Sequence, residues 1–201
     1  MIEEGAPVDS IYLDFRKAFD SVPHQRLLRK LRAHGIAEQV IKWIEAFLSG
    51  RKQQVVVNGH HSGWAPVTSG VPQGSVLGPL LFLVFINDIP GVIGGLVKMF
   101  ADDTKLYRSV SLPADADSLQ ADIDAVVAWS DKWQMPFNEG KCKVLHLGGA
   151  NSCHQYTMRG INLEETDTER DLGIHVDSVG KMEKCLFHDV KCIIKFCTPK
   201  V

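Results

Sequence analysis

The first clear pattern in the chain is an alternation. Ser10-Ile11-Tyr12-Leu13-Asp14-Phe15 places apolar and polar side chains in turn and is rich in β-favouring residues, which predicts a strand. Ser21-Val22-Pro23 then opens a run in which Leu27, Leu28 and Leu31 recur at helical spacing before Gly35. Val40, Ile41, Ile44, Phe47 and Leu48 repeat that spacing, and Gly50 ends a second helix. Gln54-Val55-Val56-Val57 runs into Asn58-Gly59, and Trp64-Ala65-Pro66-Val67 can return, so a hairpin is expected.

A Gly/Pro-rich loop, Ser69 to Gly74, feeds an apolar run from Val76 to Ile86. The run holds Gly78-Pro79 and falls well short of the roughly 20 residues a membrane span needs, so it predicts a buried helix. Leu96 to Phe100 and Thr104 to Tyr107 read as short strands turning at Ala101-Asp102-Asp103. Leu119, Ile123, Val126, Val127 and Trp133 define an amphipathic helix capped by Asp117 or Ser118. Strand candidates follow at Lys143 to Leu147, around Tyr156, and at Leu172 to Val176; beyond Gly180 the pattern fades. Strand-turn pairs mixed with helices, with no repeat and no long linker, indicate an α+β unit over residues 1–180 and a divergent tail over 181–201.

With 201 residues and 45% apolar side chains, the chain can bury a sizeable core. A net charge of −2 advertises no polyanion partner, so any nucleic-acid case rests on local features. Those exist: residues 16–52 hold nine Lys and Arg against three Asp and Glu, and residues 102–139 hold three against eight. Arg51-Lys52, at the mouth of the hairpin, is the preferred phosphate contact. The start, Met1-Ile2-Glu3-Glu4, lacks the basic and apolar regions of a signal peptide. Five cysteines without CxxC spacing then suggest reduced thiols in an intracellular, nuclear or cytoplasmic setting.

Asp14 lies late in an apolar strand, where a charge is costly without compensation. Asp102 and Asp103 are adjacent at a hairpin tip, where repulsion raises a pKa unless a cation neutralises it. Three carboxylates at one point would suit Mg²⁺, a hard ion that shares its shell with phosphates. The plain alternative is a solvated Asp-Asp turn and a strand-end cap.

The surrounding residues favour the first reading. Tyr12-Leu13-Asp14-Phe15-Arg16-Lys17-Ala18-Phe19-Asp20-Ser21-Val22-Pro23-His24 resembles the first palm motif of reverse transcriptases from non-LTR (LINE-type, chicken-repeat-like) retrotransposons. Ser69-Gly70-Val71-Pro72-Gln73-Gly74-Ser75-Val76-Leu77-Gly78-Pro79 looks like their second motif, and Phe100-Ala101-Asp102-Asp103 like their aromatic-x-Asp-Asp signature, in the same order and spacing. Asn138-Glu139-Gly140-Lys141-Cys142-Lys143-Val144-Leu145 and Arg170-Asp171-Leu172-Gly173-Ile174 resemble the fourth and fifth motifs.

The resemblance implies an RNA-directed DNA polymerase palm, a small antiparallel sheet backed by helices, working on an RNA template, a DNA primer and deoxynucleoside triphosphates, with no membrane role. It implies that Asp14, Asp102 and Asp103, with the Phe15 carbonyl, hold two Mg²⁺ ions. Phe19 would exclude a 2′-hydroxyl, Gln73 would lie beside the incoming nucleotide, and Lys141 would protonate the leaving pyrophosphate. Taken alone, Phe19 reads as a core side chain, Gln73 as a loop residue and Lys141 as an exposed strand-end lysine; Asp20 also recurs in the family but is assigned a structural capping role over a metal one.

The family's fingers lie upstream of its first motif and its helical thumb downstream, so fingers and thumb are expected to be largely missing. A truncated copy with weak or no activity alone is the resulting expectation. The alternative is a catalytically inert remnant serving at most as a binding or interaction module. Cys185, His188, Cys192 and Cys197 have zinc-ligand chemistry but lack the paired spacing of zinc hairpins.

Overall fold

In the computed structural model, which describes residues 6–178 and 182–183, the alternating segment forms β1 (Val8–Leu13). A short helix α1 (Ala18–Ser21) leads to α2 (His24–Ala33) and α3 (Glu38–Leu48). β2 (Lys52–Gln53), β3 (Val56–Val57), β4 (His60–His61) and β5 (Ala65–Pro66) build the expected hairpin, with Lys52 opposite Pro66 and Val56 opposite His61. Asn58 and Gly59 both take positive φ, as a tight two-residue hairpin turn requires.

Helix α4 (Leu77–Ile86) passes through a 3-10 turn (Ile89–Val92) to β6 (Leu96–Phe100) and β7 (Asp103–Ser109), and α5 (Pro113–Trp133) follows. β8 (Lys143–Leu147), β9 (Thr157–Met158), β10 (Ile161–Asn162), β11 (Glu164–Thr166), β12 (Thr168–Asp171), β13 (Ile174–Asp177) and β14 (Met182–Glu183) complete the described chain. The main sheet has the order β11-β8-β1-β7-β6, antiparallel except where β11 runs parallel to β8. This is the α+β sheet-and-helix architecture expected of a partial polymerase palm.

Pleating sends Ile11 and Leu13 of β1 to the same side as Leu106 of β7 and Val144 of β8, and all four are buried. Leu119, Ile123, Val126 and Trp129 of α5, Leu27, Leu28 and Leu31 of α2, and Leu81, Phe82 and Phe85 of α4 join them in one core. Burying a side chain of that size contributes roughly 1.5–3 kcal/mol, so this face dominates the stability of the unit.

Three charged side chains among the described residues are buried with partners: Lys30, Asp9, and Asp122, which pairs with Arg108 at 2.9 Å. Lys30 donates to the Phe85 carbonyl and pairs with Asp88, which also accepts the Trp129 indole N–H at 2.9 Å, while its ammonium lies 3.9 Å from the Trp133 ring centre. Asp9, on the core side of β1, is fully buried; His146 Nδ1 and the Tyr156 hydroxyl each approach within 2.6 Å, and Asn151 Nδ2 donates at 2.8 Å. Burial alone would raise the Asp9 carboxyl, but these three partners more than offset it and hold it below its ordinary value. The same pairing raises His146 against the opposing effect of burial.

Two expectations need correction. Helix α5 begins at Pro113, not at Asp117 or Ser118, because proline suits the first helical position and the Asp115 carboxylate accepts the Leu112 N–H at 2.8 Å. Helix α4 is buried on one side only: Leu81, Phe82 and Phe85 face the core, whereas Val76, just before it, and Leu80 and Leu83 are exposed. No helix among the described residues is long and apolar enough to cross a membrane. Among the described residues Cys142 and Cys153 are free thiols. Cys185, His188, Cys192 and Cys197, and all of 181–201 except β14, lie outside the described residues.

Candidate functional site

Asp14 follows β1 directly, and its position is fixed by the residues on either side. Leu13 and Phe15 are both buried, and Phe15 stacks on Phe137 at 4.5 Å, so the alternation turns the Asp14 side chain away from the core. The segment after α5 binds this stretch from the side. Asn138 N–H donates to the Asp14 carbonyl at 2.7 Å, Arg16 N–H to the Pro136 carbonyl at 2.9 Å, and Asp14 N–H to the Cys142 sulfur at 3.4 Å. Burial first, then Asp14 and Glu139, pushes the Cys142 thiol up to about 11, so at neutral pH it is a neutral packing group. From the same loop Lys141 Nζ lies 3.6 Å from the Asp14 carboxylate and is largely exposed.

The other two aspartates arrive on the β6–β7 hairpin. Leu13 of β1 pairs with Thr104 of β7, so the end of β1 lies beside the start of β7. Phe100 pairs with Asp103, which leaves a two-residue turn, Ala101 and Asp102, with Ala101 at φ 52°. The expected acidic turn is thus one residue shorter, and Asp103 already belongs to β7.

The carboxylates sense one another. The Asp103 carboxyl is raised by partial burial, then by Asp102, Asp171 and Asp14. Asp171, at the end of β12, is a fourth acid in this cluster that the sequence reading did not assign a role. The signal available was its place in Arg170-Asp171-Leu172-Gly173, ahead of a turn where Leu172 takes φ 49°.

No three His, Cys, Asp or Glu side chains among the described residues form a ready metal shell. The donor set nonetheless fits a hard divalent cation: it is all carboxylate oxygen, it stands at one end of the sheet, and its repulsion is unrelieved at Asp103. Asp14, Asp102 and Asp103, with the Phe15 carbonyl next in the chain, are the residues that could hold one.

The second-motif loop is tied to the segment that follows Asp14. Gly70 N–H donates to the Val22 carbonyl at 2.8 Å, Val71 N–H to the Phe19 carbonyl at 2.7 Å, and the Ser69 hydroxyl to the Asp20 carbonyl at 2.8 Å. A Cβ at Gly70 would lie 2.7 Å from Asp20 Cα, at a φ of +89°, and one at Gly78 would lie 2.2 Å from the Pro72 carbonyl oxygen. Both contacts require glycine. Gln73, in the middle of this loop, is exposed. Phe19 stacks on Phe82 of α4 at 4.5 Å and is half-buried, so one side packs on the core. Asp20 provides its backbone to the loop and caps neither α1 nor α2.

Residues 10–177 match the family model described as reverse transcriptase (RNA-dependent DNA polymerase). Over 186 residues the chain is 34% identical to the RNA-directed DNA polymerase from mobile element jockey of Drosophila funebris, an alignment covering 88% of this chain and 20% of that protein. It is 33% identical over 139 residues to the probable RNA-directed DNA polymerase from transposon X-element of Drosophila melanogaster, covering 66% of this chain and 15% of that protein. Among solved structures, telomerase from Candida tropicalis in complex with a fragment of telomeric RNA superposes with a TM-score of 0.63 at 12% identity, covering 98% of this chain and 32% of that one, a likeness of fold. The chain thus spans about a fifth of the length of the jockey polymerases it matches.

Proposed function

Because the chain belongs to the reverse transcriptase (RNA-dependent DNA polymerase) family, in its non-LTR, LINE-type branch, we propose that its carboxylate end is the nucleotidyl-transfer centre of an RNA-directed DNA polymerase palm. The observation that supports this reading is the approach of Asp14 and the Asp102-Asp103 turn at one end of the sheet, across 88 residues of sequence, with Lys141 at 3.6 Å from Asp14 as a partial counter-charge and the Asp103 carboxyl raised by its acidic neighbours. A fully neutralised structural network would not leave Asp103 raised, whereas a site that takes up cations with its substrate leaves part of its charge unmatched.

Asp14, Asp102 and Asp103 would hold two Mg²⁺ ions, with the Phe15 carbonyl as a further ligand. When bound, such ions supply charge neutralisation on the triphosphate and a lowered pKa for the primer 3′-hydroxyl. The protein's own part is placement. The segment from Pro136 to Cys142 grips the Asp14 backbone, and Lys141, 3.6 Å from Asp14, would give a proton to the departing pyrophosphate. Gln73, on a loop tied to Phe19 through Val71, would border the incoming nucleotide. Phe19, braced by Phe82, would present its free edge to the sugar and disfavour a 2′-hydroxyl. The partners in this reading are an RNA template, a DNA primer and deoxynucleoside triphosphates, met inside the cell.

The test is a chimera in which residues 8–178 replace the matching region of the jockey polymerase, assayed for primer extension on an RNA template. Extension that requires Mg²⁺ and is abolished by Asp14→Asn or Asp102→Asn is the expected result; Phe19→Ala should keep extension and admit ribonucleotides. The 201-residue chain alone should extend poorly, because positioning of triphosphate and duplex supplies much of the rate. Extension that survives Asp14→Asn in the chimera contradicts the reading.

A further inference from the structure

Two tight turns in the chain share one geometry and differ in one residue. Val57 pairs with His60 across Asn58-Gly59, and Met158 pairs with Ile161 across Arg159-Gly160. The first turn residue has φ 51° at Asn58 and 53° at Arg159, and the glycines follow at 78° and 76°. Asparagine tolerates this left-handed conformation, whereas arginine is strained in it. The β9–β10 hairpin does not need Arg159 for its seat: Gln120 of α5 donates to the Thr157 carbonyl and accepts the Thr157 N–H, both at 2.9 Å, and Met158 is buried. A strained backbone kept where packing does not call for it directs attention to what the side chain reaches.

The Arg159 guanidinium reaches two acids. It pairs with Asp131 in the last turn of α5, and its Nε lies 3.4 Å from Glu139. The other carboxylate oxygen of Glu139 lies 3.6 Å from Arg16, so this acid, only 19% exposed, stands between two arginines. Glu139 belongs to the segment that grips Asp14 and precedes Lys141 by two residues, with Gly140 between them. The Cys142 thiol senses the charges of both Asp14 and Glu139, which places the two acids in one neighbourhood. Lys141 is exposed, so a Glu139 without partners would compete with Asp14 for its ammonium. Partly exposed ion pairs of this kind add little stability; what they settle is which acid the lysine meets.

We propose that Arg159 is a positioning residue of the carboxylate site: together with Arg16 it occupies Glu139 and so leaves the Lys141 ammonium to Asp14. The chain of alternating charges, Asp131, Arg159, Glu139 and Arg16, is neutral as a whole and closes on itself, so it adds no field of its own at the site. Its effect is to remove a competitor. Arg159 touches neither Asp14 nor Lys141 in any ion pair of the described residues and acts on them through Glu139 alone. This inference rests on the polymerase reading and adds to it the residue that keeps the proposed proton donor in place.

The test is carbodiimide cross-linking of the full chain, which joins a lysine amine to a carboxylate in contact with it, read by tandem mass spectrometry as the ratio of Lys141–Asp14 to Lys141–Glu139 links. Links to Asp14 should dominate in the wild type. Arg159→Asn, which suits the turn as Asn58 does, should lower the ratio several-fold while leaving the urea midpoint unchanged or slightly raised; Arg159→Lys should keep the ratio near wild type. In the chimera described above, Arg159→Asn should lower kcat for single-nucleotide addition several-fold with KM for the nucleotide unchanged. Adding Glu139→Gln to that variant should recover most of the loss, because an amide does not attract the lysine. The same cross-link ratio in wild type and Arg159→Asn overturns the positioning role and leaves the polymerase reading standing. A lowered ratio with no recovery in the double variant overturns the competition and assigns Arg159 to the backbone of the 136–142 segment. A wild-type chimera that fails to extend, with the ratio still falling in Arg159→Asn, counts against the polymerase reading while the competition between the two acids stands.

Discussion

Asp9 and Asp14 occupy opposite ends of β1, and they place a carboxylate beside the core in opposite ways. Asp9 is fully buried and is met by His146, Tyr156 and Asn151, so its charge is stabilised within the protein. Asp14 is over a third exposed in its side chain, its backbone is gripped by the 136–142 segment, and its charge is met only at 3.6 Å by a flexible lysine. The end with complete partners is built for stability. The end with a gripped backbone and partial counter-charge is where the proposed cations would bind.

Mutation should separate the two ends sharply. Asp9→Ala leaves the His146 ring and the Tyr156 hydroxyl buried without their acceptor and should cost about 3–5 kcal/mol, read as a fall in the urea midpoint. Asp14→Asn should change stability by no more than about 0.5 kcal/mol. Equal losses at both positions would erase the contrast.

Tyr156→Phe removes one hydrogen bond to the buried charge and should cost about 1.5–3 kcal/mol by the same measurement. A smaller effect is expected from pH. Because His146 is raised above its ordinary 6.5, the stability it contributes is fully present below pH 6.5 and declines as pH rises through the raised value. The depressed Asp9 acts in the other direction, its contribution being lost only in acid as pH falls through its lowered value. Deprotonation takes the proton from the unpartnered Nε2 and leaves Nδ1–H on Asp9, so the decline should be gradual and should vanish in His146→Gln.

The smallest effect has the opposite sign. Asp103→Asn relieves repulsion from Asp102, Asp171 and Asp14 and should stabilise the chain, by at most about 0.5 kcal/mol because solvent screens a group this exposed. A destabilising Asp103→Asn would mean that the cluster carries internal compensation.

The carboxylate end was legible in the sequence because its signals are local: an aspartate in an alternating strand, two adjacent aspartates between strands, and glycines at Gly70 and Gly78 where no side chain fits. The resemblance of the motifs then pointed to the family that the comparisons show. The Asp9 end was not legible, since its partners come from His146, Asn151 and Tyr156, more than 130 residues away, and an aspartate at the start of a strand reads as an ordinary boundary. Asp171 was hidden for a related reason, since only the pairing of β12 with β13 brings it within reach of Asp103. Strand β11 escaped because parallel addition of three residues at a sheet edge leaves no periodic pattern.

The central claim, that Asp14 and Asp103 stand at an incomplete site that takes up divalent cations, is tested most directly by stability as a function of Mg²⁺ at fixed ionic strength. A ligand that binds the folded chain must raise its stability by mass action. The urea midpoint of the wild-type chain should rise with Mg²⁺ and level off, and the rise should be lost in Asp14→Asn and Asp103→Asn but kept in His146→Gln. An identical response to Mg²⁺ in the wild type and both aspartate variants contradicts the account.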